Sequence, residues 1–189
     1  MYLLLVFAGA FTWTFLEYAF HNWLGHLGRG RSEFSRQHLG HHANTRYFTP
    51  TRSKIPVALV VIGGGLLAVG LPFGWLSGAA FTTGLFGFYL FYELLHRRIH
   101  THAPFEPYGR WARRHHLHHH FCNPKANHGV TSALWDVVFG TYEKPALTRI
   151  PPKQEPGVPW LFSPETGELR PRYAADYEQF RRVVMKCPG

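Results

Sequence analysis

Histidine is the residue whose number and spacing set this sequence apart. The chain has 189 residues, of which 14 are histidine, against 11 acidic residues and 20 Lys plus Arg. Segment 113–123 reads RRHHLHHHFCN and holds five histidines in six consecutive positions. Because neutral imidazole is the commonest metal ligand in proteins, the sequence predicts a metal centre.

Ten of the histidines fall into four clusters. Residues three and four positions apart share one face of an α-helix, and a histidine followed by others three and four residues later occurs twice. Each such triplet therefore directs three imidazoles to one place, and an i,i+4 pair does the same with two. The clusters are His21 and His26; His38, His41 and His42; His96 and His100; and His116, His119 and His120.

Two details of spacing refine this set. His21 and His26 are five residues apart and do not share a face of a regular helix, so Gly25 predicts a helix end that would let the two rings converge. In the 113–123 run, His118 is expected to point away from the predicted ligands, and His115 lies about 100° from His116. Neither His115 nor His118 is predicted to bind metal.

Ten imidazoles exceed the four ligands of one tetrahedral zinc, so two ions are expected. Imidazole suits zinc, iron, copper and nickel alike, which leaves the metal open. Glu17 and Glu93 lie near the ends of apolar segments, four and three residues before His21 and His96. We expect each carboxylate to accept the free ring N–H of a metal-bound histidine, with direct ligation as the alternative.

Three further side chains are candidates near these clusters. Asp136 is expected either to orient another ligand or to cap local structure, and His128 to form a hydrogen bond within the site. Cys122 follows the histidine run and is a weaker candidate ligand. The two cysteines of the chain fit no disulfide framework.

Apolar segments must position these clusters. Residues 2–20 are long enough to span a bilayer and run on without a signal-peptide cleavage site. Residues 55–95 contain no Lys or Arg and are too long for one span, which predicts a hairpin of two, with Pro72, Gly74 and Gly78 at its turn. Gly63–Gly65, Gly84 and Gly87 are expected to allow close helix packing.

The distribution of charge agrees with this topology. All Lys and Arg residues lie in 29–54 and 97–189, which three spans would place on one side of the membrane, together with every histidine. The positive-inside rule makes that side cytoplasmic. The prediction is an all-α integral membrane protein with about three transmembrane helices and a cytosolic, histidine-rich helical cap. This pattern also argues against nucleic-acid binding, despite a net charge of +9. A soluble helical protein with a very apolar core is the alternative.

Beyond residue 143 the composition changes. We divide the chain into a membrane-embedded domain, 1–143, and a C-terminal segment, 144–189, that wraps around it as a proline-rich loop. Within that segment Tyr173, Tyr177, Phe180 and Val184 follow helical spacing and predict an amphipathic helix over 173–186.

Five motifs, taken in order along the chain, resemble the fatty acid hydroxylase superfamily, which includes the sterol desaturases. They are HNWLGH, HLGHH, YELLHRRIH, HHLHHHF and HGVTSALWDVVFGT. The resemblance covers about residues 10–145 and is closest to the fatty acid 2-hydroxylases. It implies a dimetal centre on the cytosolic membrane face, with iron as the expected metal and zinc as the alternative. The ten clustered histidines correspond to that family's metal ligands.

The resemblance also implies an activity, namely O2-dependent hydroxylation of lipid acyl chains. Because the chain shows no cytochrome b5 domain and no nicotinamide or flavin fingerprint, we expect a separate electron donor, either a cytochrome b5-like protein or a ferredoxin with its reductase. By this resemblance the chain is expected to begin at the family's second span, so that three spans replace four. The expected location is a bacterial inner membrane or the endoplasmic reticulum. The alternatives are a sterol or carotenoid hydroxylase or desaturase, and a zinc-dependent membrane enzyme that does not oxidise its substrate.

Overall fold

The described part of the chain is mainly helical and contains one small parallel sheet. A computed structural model describes residues 1–145 and 147–180. The sheet, which pairs β1 with β2, departs from the all-α expectation. The described elements are α1 Tyr2–Ala19, α2 Glu33–Ala43, α3 Thr51–Phe73, α4 Trp75–Thr101, α5 Pro107–Phe121, α6 Leu134–Val138, β1 Thr148–Ile150 and β2 Tyr177–Gln179.

Helix α1 runs directly into a π-helical turn, Phe20–His26. The backbone N–H of Leu27 donates to the carbonyl of Asn22 at 2.9 Å, which is the i→i+5 bond of a π-helix. Together α1 and this turn form one continuous helical segment of 25 residues, whose most apolar stretch of 18 residues has a mean hydropathy of 1.6.

Among the described residues, two helices are long and apolar enough to span a bilayer: Tyr2–His26 and α3, whose most apolar stretch of 18 residues has a mean hydropathy of 2.2. Helix α4 was predicted as a third span, but it is not among them. Glycine, serine and threonine dilute the hydropathy of its first half, and its last turns carry Glu93 and two arginines. The described structure therefore supports two of the three predicted spans by length and hydropathy.

The α3–α4 hairpin turns at a single glycine. Gly74 has φ of 87°, a backbone conformation that side chains rarely adopt. Pro72 and Gly78, predicted in the same turn, instead lie inside α3 and α4.

Helix α1 packs on α4 through glycine. A Cβ added at Gly9 would lie 1.9 Å from the carbonyl oxygen of Phe81, and one at Gly84 would lie 1.8 Å from that of Val6. The two backbones therefore touch at these points. Gly65 also lies against α4, but Gly63, Gly64 and Gly87 have no such neighbour within 4 Å, so their predicted packing role is wrong.

Helices α2 and α5 carry most of the histidines, and each begins at a capping side chain. Ser32 accepts a hydrogen bond from the backbone N–H of Ser35. Glu106 accepts from two N–H groups in the first turn of α5, where Pro107 holds the first position. Such caps satisfy N–H groups that have no partner within the helix, and they fix where each helix starts.

The C-terminal segment packs on the helices through aromatic side chains. Trp160, Tyr173 and Tyr177 are buried in one cluster, and the indole N–H of Trp160 donates to the carbonyl of Ile99 in α4. The helix predicted over 173–186 is wrong for 173–180, where the chain forms a 3-10 turn and strand β2. The rest of that prediction, including Val184, lies outside the described residues.

Candidate metal centre

The structure gathers the ten clustered histidines into two groups of five. Within each group the nearest ring nitrogens all lie within 4.8 Å of one another, which is close enough for one cation to contact the whole set. The first histidine group is His21, His26, His38, His42 and His119, and the second histidine group is His41, His96, His100, His116 and His120.

The π-helical turn explains the unusual spacing in the first cluster. With i→i+5 hydrogen bonding, residues five apart come onto one side of the helix, and the ring centroids of His21 and His26 are 5.4 Å apart. The helix ends at His26, one residue after the predicted end at Gly25, and the rings converge within the π-helical turn itself. Gly25 has a different role: a Cβ there would lie 2.8 Å from the ring of His38.

Helices α2 and α5 each supply rings to both groups, so the two groups are neighbours. The rings of His42 and His120, which belong to different groups, stack with centroids 4.0 Å apart. Adjacent positions on one helix thus serve two sites. The first group takes His38 and His42 from α2 and His119 from α5, and the second takes His41 from α2 and His116 and His120 from α5.

Two histidines of the 113–123 run belong to neither group. Nε2 of His115 lies 3.2 Å from Oδ2 of Asp136, and both side chains are fully buried. Nε2 of His118 lies 3.0 Å from Oε2 of Glu143, which is partly exposed. Both rings are therefore held by carboxylates outside the two groups.

Backbone carbonyls determine the protonation of three rings. Each of these rings uses Nδ1 as a donor, and a neutral imidazole carries only one N–H. The Nε2 atom of each ring therefore presents a lone pair. The bonds run from His21 to the carbonyl of His128 at 2.5 Å, from His119 to that of Ala126 at 2.6 Å, and from His41 to that of Tyr47 at 2.7 Å.

These lone pairs face other imidazole nitrogens. Nε2 of His119 lies 3.0 Å from Nε2 of His26 and 3.1 Å from Nε2 of His42. Nε2 of His21 is buried and has no hydrogen-bond partner in the described chain. Buried polar atoms without partners are costly, and a cation in each group would satisfy them. The donor set therefore fits two imidazole-bound metal ions.

Burial keeps the rings neutral. Removal from water lowers the pKa of His41 to about 4. Burial is the main cause that lowers the pKa of His116, His119 and His120 well below the usual histidine value, and repulsion from neighbouring imidazoles is the second. Neutral imidazole is the form that binds metal, so the two groups are in their binding form at neutral pH.

Glu17 and Glu93 were predicted to accept hydrogen bonds from imidazole rings, but both have other partners. Oε1 of Glu17 accepts from the backbone N–H groups of Val130 and Thr131, at 3.0 and 2.8 Å, and from the Thr131 hydroxyl. Glu93 forms an ion pair with Lys54 of α3. A buried or half-buried carboxylate needs donors, and here backbone and lysine provide them.

Asp136 and His128 act near the first histidine group through the backbone. Asp136 accepts from the backbone N–H groups of His128 and Gly129, at 2.7 and 2.8 Å. His128 contributes its carbonyl to His21, and its own ring Nε2 lies 3.2 Å from the carbonyl of Lys125. Nothing in the sequence indicated that the backbone carbonyls of Ala126 and Tyr47 would accept from His119 and His41, because a residue of any type can supply a carbonyl. Cys122 is an exposed free thiol.

A cavity of about 420 Å³ adjoins both histidine groups. Helices α1, α2, α3 and α4 and the loop before α3 form its wall, which is mostly apolar and aromatic. His21 and His38 of the first group and His41 and His96 of the second face it. A cavity with this lining suits an apolar ligand held beside the metal ions.

Comparison with known proteins matches residues 6–141 to the model of the fatty acid hydroxylase family. This match covers all ten clustered histidines. The chain belongs to the fatty acid hydroxylase family. This is the family that the motifs had predicted.

Several curated hydroxylases are similar to this family member. The ceramide very long chain fatty acid hydroxylase SCS7 of Saccharomyces cerevisiae is 36% identical, over 72% of this chain and 37% of the relative. The dihydroceramide fatty acyl 2-hydroxylase FAH2 of Arabidopsis thaliana is 32% identical, over 73% of this chain and 60% of the relative. The fatty acid 2-hydroxylase of Homo sapiens is 31% identical, over 74% and 40%.

A solved structure shares the fold of this hydroxylase-family chain. Full-length scs7p, in which only the hydroxylase domain is visible, aligns with a TM-score of 0.58 and 29% identity, over 76% of this chain and 57% of that one. The chain therefore spans between about a third and two thirds of the proteins that it resembles.

Proposed function

We propose that this chain forms the membrane-embedded part of a lipid hydroxylase that acts on acyl chains, with carbon 2 as the preferred position. The observation that carries the proposal is the apolar cavity that adjoins both histidine groups. The printed functions of the relatives, which are ceramide and fatty acyl hydroxylases, support the same class of substrate.

The ten histidines are the proposed ligands of two metal ions, one in each group. Bound iron would supply reductive activation of O2, whereas zinc has no redox chemistry. In the overall reaction one oxygen atom enters a C–H bond and the other leaves as water, which requires two electrons and two protons. The electrons would come from a separate donor, either a cytochrome b5-like protein or a ferredoxin with its reductase.

The chain's own contribution is to position the acyl chain and to exclude water. Trp13, Phe20 and Phe34 line the cavity with aromatic surface, against which an acyl chain would pack. The Lys54–Glu93 ion pair lies in the same wall and joins α3 to α4. A centre near the membrane surface reaches carbons close to the lipid headgroup more readily than the methyl end.

The proposal places α1, α3 and α4 across the membrane as three spans. The two histidine groups would then lie on the cytoplasmic side, where the positively charged segments also lie. The location would be a bacterial inner membrane or the endoplasmic reticulum. We retain the division into a membrane-embedded domain, 1–143, and a wrapping C-terminal segment, 144–189.

Mass spectrometry of lipids tests this function. Cells expressing the wild-type chain with a reductant system should accumulate 2-hydroxy acyl chains, and cells expressing His41→Ala should lose that product by at least about 100-fold, since a metal ligand is removed. His102→Ala is the matched control. His102 is exposed and outside both groups, so this variant should keep the product at wild-type level.

Other results would contradict the proposal in distinct ways. Hydroxylated sterols or carotenoids in place of 2-hydroxy acyl chains would point to a different substrate for the same fold. Turnover without O2 would indicate a reaction of zinc-activated water. Equal 2-hydroxy acyl levels from wild type and His41→Ala, at equal protein levels by immunoblot, would exclude the proposed role of the histidine groups.

A further inference from the structure

Four consecutive backbone N–H groups donate to two buried carboxylates. Those of His128 and Gly129 donate to Oδ1 and Oδ2 of Asp136, at 2.7 and 2.8 Å. Those of Val130 and Thr131 donate to Oε1 of Glu17, at 3.0 and 2.8 Å. All four N–H groups thus have a side-chain oxygen as acceptor, and these bonds tie segment 128–131 to both α1 and α6.

The same stretch of backbone presents carbonyls to the metal centre. The carbonyl of His128 accepts from Nδ1 of His21, and the carbonyl of Ala126 accepts from Nδ1 of His119. Both rings belong to the first histidine group. The ring in the second group with a corresponding bond, His41, uses the carbonyl of Tyr47, which lies after α2. The carboxylates therefore support one group and not the other.

The segment has little room to move by itself. A Cβ added at Gly129 would lie 1.9 Å from the carbonyl oxygen of Ser132 and 3.0 Å from Oδ2 of Asp136. Asn127, at φ of 59°, exchanges two hydrogen bonds between its side chain and the backbone of Glu143. Displacement of 128–131 would thus carry the His128 carbonyl away from His21.

We propose that Glu17 and Asp136 are positioning residues for the first histidine group. They hold the 126–131 backbone so that its carbonyls keep Nδ1 of His21 and His119 protonated and aim each Nε2 at the ion. The inference rests on the proposed function, because it concerns the same metal centre. It assigns the two carboxylates a role that reaches the ion through the backbone.

The test measures zinc retention, with Zn²⁺ as the probe, in the full chain purified in detergent. Asp136→Asn is the decisive variant, since both carboxylate oxygens now accept an N–H and an amide offers only one acceptor. Removing such support for a metal-bound histidine weakens binding by about 10- to 100-fold. The chelator concentration that removes one zinc should fall by that factor, while the other zinc is retained as in wild type.

Variants that break one group show which ion is affected. In His96→Ala, which keeps only the first group, adding Asp136→Asn should lower the affinity of the remaining zinc. In His26→Ala, which keeps only the second, adding Asp136→Asn should change nothing. Glu143→Gln is the matched control, because its carboxylate binds His118 and Asn123 instead of segment 128–131. A general loss of folding would affect both backgrounds alike.

Glu17→Gln provides a milder variant if Asp136→Asn does not fold. Its amide can still accept at Oε1 and can donate to the Thr131 hydroxyl, so a smaller loss at the same ion is expected. Two zinc ions held as in wild type by both variants, or equal loss in both backgrounds, would overturn the inference. A wild-type chain that binds no zinc and no iron would instead overturn the proposed function.

Discussion

The face of α5 on which each histidine lies decides whether it belongs to the metal centre. Within the run of five, His116, His119 and His120 point into the two groups, while His115 and His118 turn to carboxylates. Residue type is the same at all five positions, so spacing alone separates them. A histidine-rich run is therefore not a set of equivalent ligands.

Replacing neighbouring histidines of α5 tests this separation. His119→Ala removes a ring whose Nε2 approaches those of His26 and His42, so metal content should fall from two ions to about one per chain. His118→Ala removes a buried ring that lies outside both groups and bonds Glu143, and it should retain two ions. Elemental analysis of the purified proteins measures both. Equal metal content in the two variants would contradict the assignment.

At the scale of residues, the sequence predicted which histidines come together better than it predicted the partners of the two glutamates. The i,i+3 and i,i+4 spacings selected eight histidines, and His21 and His26 were added at a spacing of five. The structure gathers all ten into two groups. The partners of Glu17 and Glu93 could not be predicted, because Thr131 and Lys54 are distant in sequence and meet them only through tertiary packing.

At the scale of elements, the π-helical turn shows what a local exception to helix geometry achieves. A spacing of five was a visible signal, but it fitted either a helix end or a wider turn. The C-terminal segment was harder to predict. Tyr173 and Tyr177 are four apart, as in a helix, yet both are buried beside Trp160 by a 3-10 turn and a strand. Strand β2 forms through pairing with β1, for which the local sequence carries no signal.

The contact between α1 and α4 gives an element-scale prediction. Gly84→Ala would place a Cβ 1.8 Å from the carbonyl oxygen of Val6, and no side-chain rotation can relieve a contact with backbone. Overpacking of this kind costs about 1–3 kcal/mol, so the unfolding temperature in detergent should fall by several degrees. Metal binding should weaken with it, since α1 leads into the π-helical turn.

Gly87→Ala is the matched control for that experiment. Gly87 lies one turn further along the same helix, with no atom of another element within 4 Å of an added Cβ. Alanine has the higher helix propensity, so this variant should be as stable as wild type or slightly more stable. A Gly84→Ala protein that unfolds at the wild-type temperature would show that the two helices are not in backbone contact.

For the whole molecule, the arrangement of charge and apolar length connects the fold to the membrane. Helix α3 has 23 residues, about 35 Å at 1.5 Å per residue, which exceeds the hydrocarbon thickness of about 30 Å. Lysine and arginine are absent from 55–96 and return at Arg97. If α4 also crosses, the α3–α4 turn and the histidine groups lie on opposite sides.

Labelling of single cysteines decides whether α4 crosses. Cys122 is free and exposed at the end of α5, and Phe73 is exposed beside the turn. In a Cys187→Ser background, a membrane-impermeant maleimide applied to intact cells should leave Cys122 unlabelled until the membrane is permeabilised. With Cys122→Ser and Phe73→Cys added, position 73 should react in intact cells. Reaction of both positions from one side would mean that α4 does not span, and the metal centre would then need another route to the lipid.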